Sequence, residues 1–158
     1  MVVKEWSIVE SGPMRGIYDV TLDDKGRLTI PAALQVLDEN KLVLVPRPDR
    51  AIAAYPSRVY DRLLVEKWPQ IAASGSPALQ RMSASVHEAT IDAGHRFTIP
   101  DVLRSYAGFR DGRRAVLIGL GTFFEIFEFV SYQEYAHTHF TAEGLREELA
   151  RAGISGVI

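Results

Sequence analysis

The sequence predicts a mixed α/β, strand-rich fold built from two copies of one unit. Three observations carry this. The stretch Thr21-Leu22-Asp23-Asp24-Lys25-Gly26-Arg27-Leu28-Thr29-Ile30-Pro31 returns 69 residues later as Thr90-Ile91-Asp92-Ala93-Gly94-His95-Arg96-Phe97-Thr98-Ile99-Pro100. In each copy, short apolar-alternating runs flank a polar corner containing glycine, the pattern of strand, tight turn and strand. A proline closes each copy and suits the first turn of a helix, where its missing N–H has no partner to lose.

Taken in order, residues 1–13 alternate little and read as a poorly specified arm. Arg15-Gly16-Ile17-Tyr18 begins the first strand, with Ile17, Val20 and Leu22 as its apolar positions. The Asp-Asp-Lys-Gly corner turns the chain, because glycine accepts positive φ and aspartate caps turn amides. Leu28 and Ile30 form the return strand of the expected hairpin. A helix over residues 32–37 then buries Leu34 and Leu37. Residues 42–45 and 51–55 form a second strand pair about the proline-rich turn 46–50. A helix opens at Pro56-Ser57, carries Val59, Tyr60, Leu63, Leu64 and Trp68 at helical spacing, and is expected to end at Pro69.

Residues 70–76 read as a linker and 77–85 as a short helix. The second unit repeats the plan. Strands fall at 86–91 and 96–99, and a helix over 100–106 turns Val102, Leu103 and Tyr106 inward. Strands at 115–119 and 123–127 follow, then a helix with Tyr132 and Tyr135. A last helix over 141–152 has Thr141 as N-cap. The domain plan is a first repeat at 14–68, linker and short helix at 69–85, second repeat at 86–136, and a helical tail at 137–158. Units this small bury little apolar surface alone, so a shared core about a pseudo-twofold axis is expected.

Composition narrows the function. Of 158 residues, 47% are hydrophobic and 24% charged, as in globular proteins. No apolar run approaches a membrane span and no signal peptide is apparent, so a cytoplasmic protein is expected. Without cysteine there is no disulfide, thiol nucleophile or cysteine-held metal. The net charge is −2, with ten Lys/Arg and ten Asp/Glu in residues 1–72, and eight and ten in the remainder. Neither half is a basic domain, so any nucleic-acid contact needs cations concentrated on one face or multiplied by assembly.

The candidates are weighed on that basis. Lys25 and Arg27 stand at a glycine-loosened tip, where lysine offers a point charge and arginine a fork for phosphate or a guanine edge. Asp23 and Asp24 are expected to cap the turn and hold those cations. Arg47, Arg50, Arg110, Arg113 and Arg114 fall on the opposite turns and read as a solvated rim. His137-Thr138-His139 sits at a helix end without supporting ligands, so no metal is expected. Tyr18, Tyr55, Phe123, Phe124 and Phe127 read as core. Gly119-Leu120-Gly121 is a hairpin turn, lacking the third glycine and following helix of a dinucleotide site. No catalytic motif appears, no cofactor is expected, and the chain reads as a non-enzyme.

Arg15-Gly16-x-Tyr18 and Leu22-Asp23-x-Lys25-Gly26-Arg27-Leu28-x-Ile30-Pro31 resemble the first half of the MraZ transcriptional regulators. The second half agrees at Ile91-Asp92-x-x-x-Arg96-x-x-Ile99-Pro100-x-x-Leu103-Arg104-x-Tyr106-Ala107-Gly108. Val116-Leu117-Ile118-Gly119 and Phe124-Glu125-Ile126 extend the likeness, which covers about residues 14–136. It implies an AbrB-like swapped-hairpin, double-psi-like barrel with flanking helices. It also implies a homo-oligomeric ring, octameric or dodecameric, that is nucleoid-associated. The ring would bind double-stranded promoter repeats of the division and cell-wall gene cluster as a repressor. The positions that match the family's DNA-contacting residues are Arg15, Lys25, Gly26 and Arg27, with Arg96 as a secondary DNA or inter-subunit contact. The second copy departs from the pattern at Ala93, Gly94 and His95, which implies a changed turn there. An oligomeric interaction module without DNA binding and an antitoxin-like regulator are the alternatives.

Overall fold

The computed structural model describes residues 13–35, 39–110 and 112–156. Residues 1–12 of the arm expected over 1–13, and the inward Leu37, lie outside the described residues. The strands are β1 (Met14–Thr21), β2 (Arg27–Thr29), β3 (Lys41–Pro46), β4 (Ile52–Pro56), β5 (His87–Thr90), β6 (Arg96–Thr98), β7 (Arg114–Gly121) and β8 (Phe124–Glu128). The helices are α1 (Ser57–Ala73), α2 (Pro77–Ala84), α3 (Asp101–Ala107), α4 (Phe129–His139) and α5 (Ala142–Arg151), with a 3-10 turn at Ala32–Leu34.

The strand pairs expected at 42–45/51–55 and 115–119/123–127 form as β3–β4 and β7–β8, but the two expected hairpins about the aspartate turns are not hairpins. β1 pairs antiparallel with β7 of the other repeat, and β5 pairs likewise with β3. β2 pairs with β6, opposing Leu28 to Phe97, in a separate two-stranded ribbon. The large sheet runs β1-β7-β8-β4-β3-β5, an order that reads the same from either end when the repeats are exchanged. The repeats are therefore related by a pseudo-twofold between β8 and β4, and each completes its sheet with a strand of the other. Among the described residues these ladders form an open sheet and a ribbon, not a closed barrel. Alternation identifies a strand and its buried face; it carries no information about the partner.

Burial explains the exchange. Leu28, Ile30, Leu34, Leu42 and Leu44 from the first repeat share one cluster with Phe97, Ile99, Leu117, Phe124 and Ile126 from the second. Removing each such side chain from water contributes about 1.5–3 kcal/mol. A repeat standing alone would expose half of that cluster.

The helices follow their caps more closely than their prolines. Thr141 Oγ1 accepts the Gly144 N–H at 2.9 Å, as a capping threonine should. Ser76 caps α2 in the same way, and Glu128 caps α4 through the Val130 and Ser131 amides. By contrast α1 continues through Pro69 to Ala73, taking in residues 70–73 of the expected linker. Proline removes one intrahelical bond, to the Val65 carbonyl, and Val65 is 75% exposed, so water can take that acceptor. In α3 the inward pair is Leu103 and Ala107, four residues apart, while Val102 turns outward at 60% exposure and Tyr106 is exposed. Tyr106 instead donates its hydroxyl to the Arg47 carbonyl across the repeat boundary. No helix among the described residues is long and apolar enough to cross a membrane.

Candidate functional site

The site begins with one carboxylate. In the first turn Asp23 Oδ1 accepts the backbone N–H of Lys25 at 2.9 Å and of Arg27 at 2.8 Å. Its Oδ2 accepts Arg27 Nε at 2.5 Å. The Gly26 amide closes on the Asp23 carbonyl, and the Asp23 amide donates to the Arg27 carbonyl. Gly26 adopts φ 75°, a left-handed conformation that favours glycine, and the Arg104 guanidinium packs where a Cβ would project. The turn thereby holds Arg27 half-buried at its base and leaves Lys25 exposed at the tip. Asp23 caps the turn as its position in the sequence suggests; Asp24 is exposed and outside these bonds.

The Arg27 backbone N–H, ahead of the Arg27 guanidinium, lowers the Asp23 carboxyl from 3.8 to about 2. A depressed folded value means that the turn's contribution to stability is complete above the ordinary carboxylate pKa. It is lost as pH falls from about 4 through about 2. Carboxyl-carbon NMR is expected to place the Asp23 titration near 2, and Asp23→Asn to flatten that part of the stability–pH curve. A midpoint near 4 would show that the turn bonds do not persist in solution.

The second turn repeats the first bond for bond, contrary to the expected change. Asp92 Oδ1 accepts the amides of Gly94 and Arg96 at 2.8 and 3.0 Å, and Oδ2 accepts Arg96 Nε at 3.1 Å. His95 takes the place of Gly26 with φ 60°. Left-handed backbone costs a non-glycine residue about 1–2 kcal/mol, which the shared Asp92 bonds outweigh. The neighbour differs as well: Arg104 covers Gly26, whereas the matching position on the other side is Gln35, which donates to the Ile30 carbonyl. His95→Gly should therefore raise unfolding stability by about 0.5–1 kcal/mol, read from the urea midpoint at unchanged slope. A lower midpoint would mean that the imidazole makes stabilising contacts.

The β2–β6 ribbon joins the two turns. Ile99 N–H donates to the Gly26 carbonyl at 3.0 Å, and Ile30 N–H to the His95 carbonyl at 2.8 Å. The tips thus lie at opposite ends of the ribbon, about 13 Å apart along it. Lys25, Gly26 and Arg27 come together; Arg96 belongs to the far end. Arg15 is not gathered with either, being near the start of β1, about 20 Å along that strand from the first turn. Its position is set by Gly119 on β7, where a Cβ would strike the Arg15 backbone.

The rim arginines divide. Arg47 Nε lies 3.1 Å from Glu125 Oε2 without hydrogen-bond alignment, and its guanidinium sits 5.7 Å from the Phe123 ring centre. Burial raises the Glu125 carboxyl, and Arg47 partly opposes that rise. Arg114 stacks on Phe129 at 3.6 Å and reaches Asp19. These two are structural. Arg110 and Arg113 are not on an opposite rim: they line a cleft of about 440 Å³ shared with Asp23, Asp24, Gly26 and Arg104. Sequence spacing alone could not place them there. The one usable signal was the left-handed Gly108 that ends α3 and turns the chain back toward β1.

Fold and site together define an internally duplicated, strand-exchanged α/β protein that presents a carboxylate-locked, cation-bearing turn at one corner. A family model described as "MraZ protein, putative antitoxin-like" matches residues 82–153, which carries the likeness past residue 136 and through α5. The "Transcriptional regulator MraZ" of Corynebacterium urealyticum is 30% identical over 128 residues, covering 78% of this chain and 87% of that protein. The protein of the same name from Mycobacterium sp. (strain KMS) is 32% identical over 127 residues, with the same coverage. That of Treponema pallidum (strain Nichols) is 30% identical over 131 residues, 80% of this chain and 87% of its own length. The chain belongs to the MraZ family.

Proposed function

We propose that this protein is a sequence-specific DNA-binding transcriptional regulator, a repressor of the division and cell-wall gene cluster. Lys25 and Arg27 of the first turn meet double-stranded promoter repeats, Arg15 adds a contact from a separate point on the surface, and Gly26 allows the close turn. Arg96 serves as a secondary DNA or inter-subunit contact. The protein acts from a homo-oligomeric ring, octameric or dodecameric, in the cytoplasm at the nucleoid. The exchange of β1 and β5 between repeats supports a swapped-hairpin reading of each chain in the ring.

The observation that carries the DNA reading is the first turn itself. Three bonds to Asp23 fix the turn before any partner arrives, so little ordering cost remains at binding. The transcriptional-regulator names of relatives at 30% identity and above support it. A net-acidic chain can bind an acidic polymer in this way, because several identical loops on one assembly gain from effective concentration. The test is selection of duplexes from a random pool by the full chain, followed by a mass measurement of the complex. Enrichment of repeated elements by a ring supports the proposal; a pool that stays random overturns it.

A further inference from the structure

The cleft beside the first turn draws most of its lining from the second repeat. α3 ends at Gly108 with φ 94°, and the Phe109 N–H bonds back to the Arg104 carbonyl at 2.9 Å. Phe109 is buried in the shared core, and the Arg113 carbonyl accepts the Leu22 N–H at 2.7 Å. Phe109 and Arg113, on either side of Arg110, are thereby anchored, and Arg110 and Arg113 line the cleft with Asp23.

Two of the described carboxylates of this corner are engaged, while Asp111, between Arg110 and Arg113 in sequence, lies outside the described residues. Asp23 holds Arg27, Asp101 holds Arg104, and Asp24 alone lacks an ion pair among the described residues. The side chains of Arg110 and Arg113 are exposed and form no hydrogen bond or ion pair among the described residues. Two such arginines in one concave site suit a phosphate-rich ligand.

The pseudo-twofold supplies an internal control. At the matching corner of the other repeat, the Ile91 N–H donates to the Asn40 carbonyl at 2.7 Å, the same bond that Arg113 makes with Leu22. There Asn40 replaces Arg113 and Gln35 replaces Arg104. The fold therefore needs the carbonyl at this point, not the cation. The Arg113 side chain is therefore not what this backbone bond requires.

We propose that Arg110 and Arg113 contact the phosphate backbone of the DNA that the first turn meets, so that one DNA-facing corner is composed from both repeats. The inference rests on the first-turn reading above. Lys25 and Arg27 come from one half of the duplication, and the backbone clamp that orients the duplex against them comes from the other.

The experiment compares the full-length wild type, Arg110→Gln/Arg113→Gln, Arg110→Lys/Arg113→Lys and Arg27→Ala. Each is titrated with a fluorescein-labelled duplex selected from the random pool and with a scrambled duplex of equal length, over a sodium chloride series. The glutamine double variant is expected to bind both duplexes roughly tenfold more weakly, keeping their ratio. Its log–log salt slope should be shallower by about 0.9 for each phosphate that is no longer neutralised. The lysine variant should recover the slope. Unchanged affinity and slope in the glutamine variant, with Arg27→Ala impaired, overturns this inference and leaves the first-turn reading standing. A deficit confined to the selected duplex overturns the phosphate assignment. If Arg27→Ala also binds as wild type, both readings fall.

Discussion

Arg27→Ala is expected to abolish binding to the selected DNA repeats while the chain stays folded and assembled. The side chain reaches its own turn through Nε alone, so the loss to the fold is one half-exposed ion pair. Such pairs contribute at most about 1 kcal/mol. The backbone bonds that set the turn, from the amides of Lys25, Arg27 and Gly26, do not involve the guanidinium. Nor does the pairing of Arg27 with Thr98, which is made by the main chain. The loss at DNA is larger because it is repeated. A deficit of roughly tenfold at each loop multiplies over every loop that meets the same duplex. Arg27→Lys should recover part of the affinity and little of the discrimination, since lysine keeps the charge without the fork. Anisotropy titration at fixed salt reads both effects, with the thermal midpoint and assembly mass as controls. Wild-type affinity in Arg27→Ala sinks the assignment of the first turn.

The duplication is legible in the sequence because it is written in turn chemistry. Asp23 and Asp92 recur at the same offset as the apolar positions around them; Asp23 caps as expected, and Asp92 caps in the same way where a changed turn was expected. The partner of each strand is not legible. β1 and β2 are joined by a tight turn, which locally looks the same whether the strands pair with each other or with another repeat. The exchange follows from the core, where Leu28 must face Phe97. His95 misleads for a related reason: its intrinsic preference is against left-handed backbone, yet three bonds to Asp92 override it. Pro69 shows the same override in a helix whose freed carbonyl faces water. Arg110 and Arg113 read as rim in the sequence because their place depends on where Phe109 is buried and on which carbonyl Leu22 finds. Both are tertiary facts. Arg104 shows how near the sequence comes: it belongs to the family motif, but its packing over Gly26 arises only when the repeats interlock.

If the interlocked core is one cooperative unit, a single lesion in it should weaken both repeats equally. Phe97 is the residue to remove. It is 2% exposed, lies opposite Leu28 in the ribbon, and its ring centre is 6.3 Å from that of Phe124 at a tilt of 59°. Phe97→Ala is expected to cost about 3–5 kcal/mol, combining lost transfer energy with the cavity left behind. That is a large share of a domain's usual 5–15 kcal/mol, so the variant should be folded only at low temperature or low urea. The informative readout is where the loss falls. Native-state hydrogen exchange should show the amides of β4, in the first repeat, and of β7, in the second, losing protection by the same free energy. Equal loss follows from the topology, because β4 pairs with β8, and β1 with β7, across the repeat boundary. Protection that falls in β7 and persists in β4 would show two independently stable halves, and with them a shared core in geometry but not in energy.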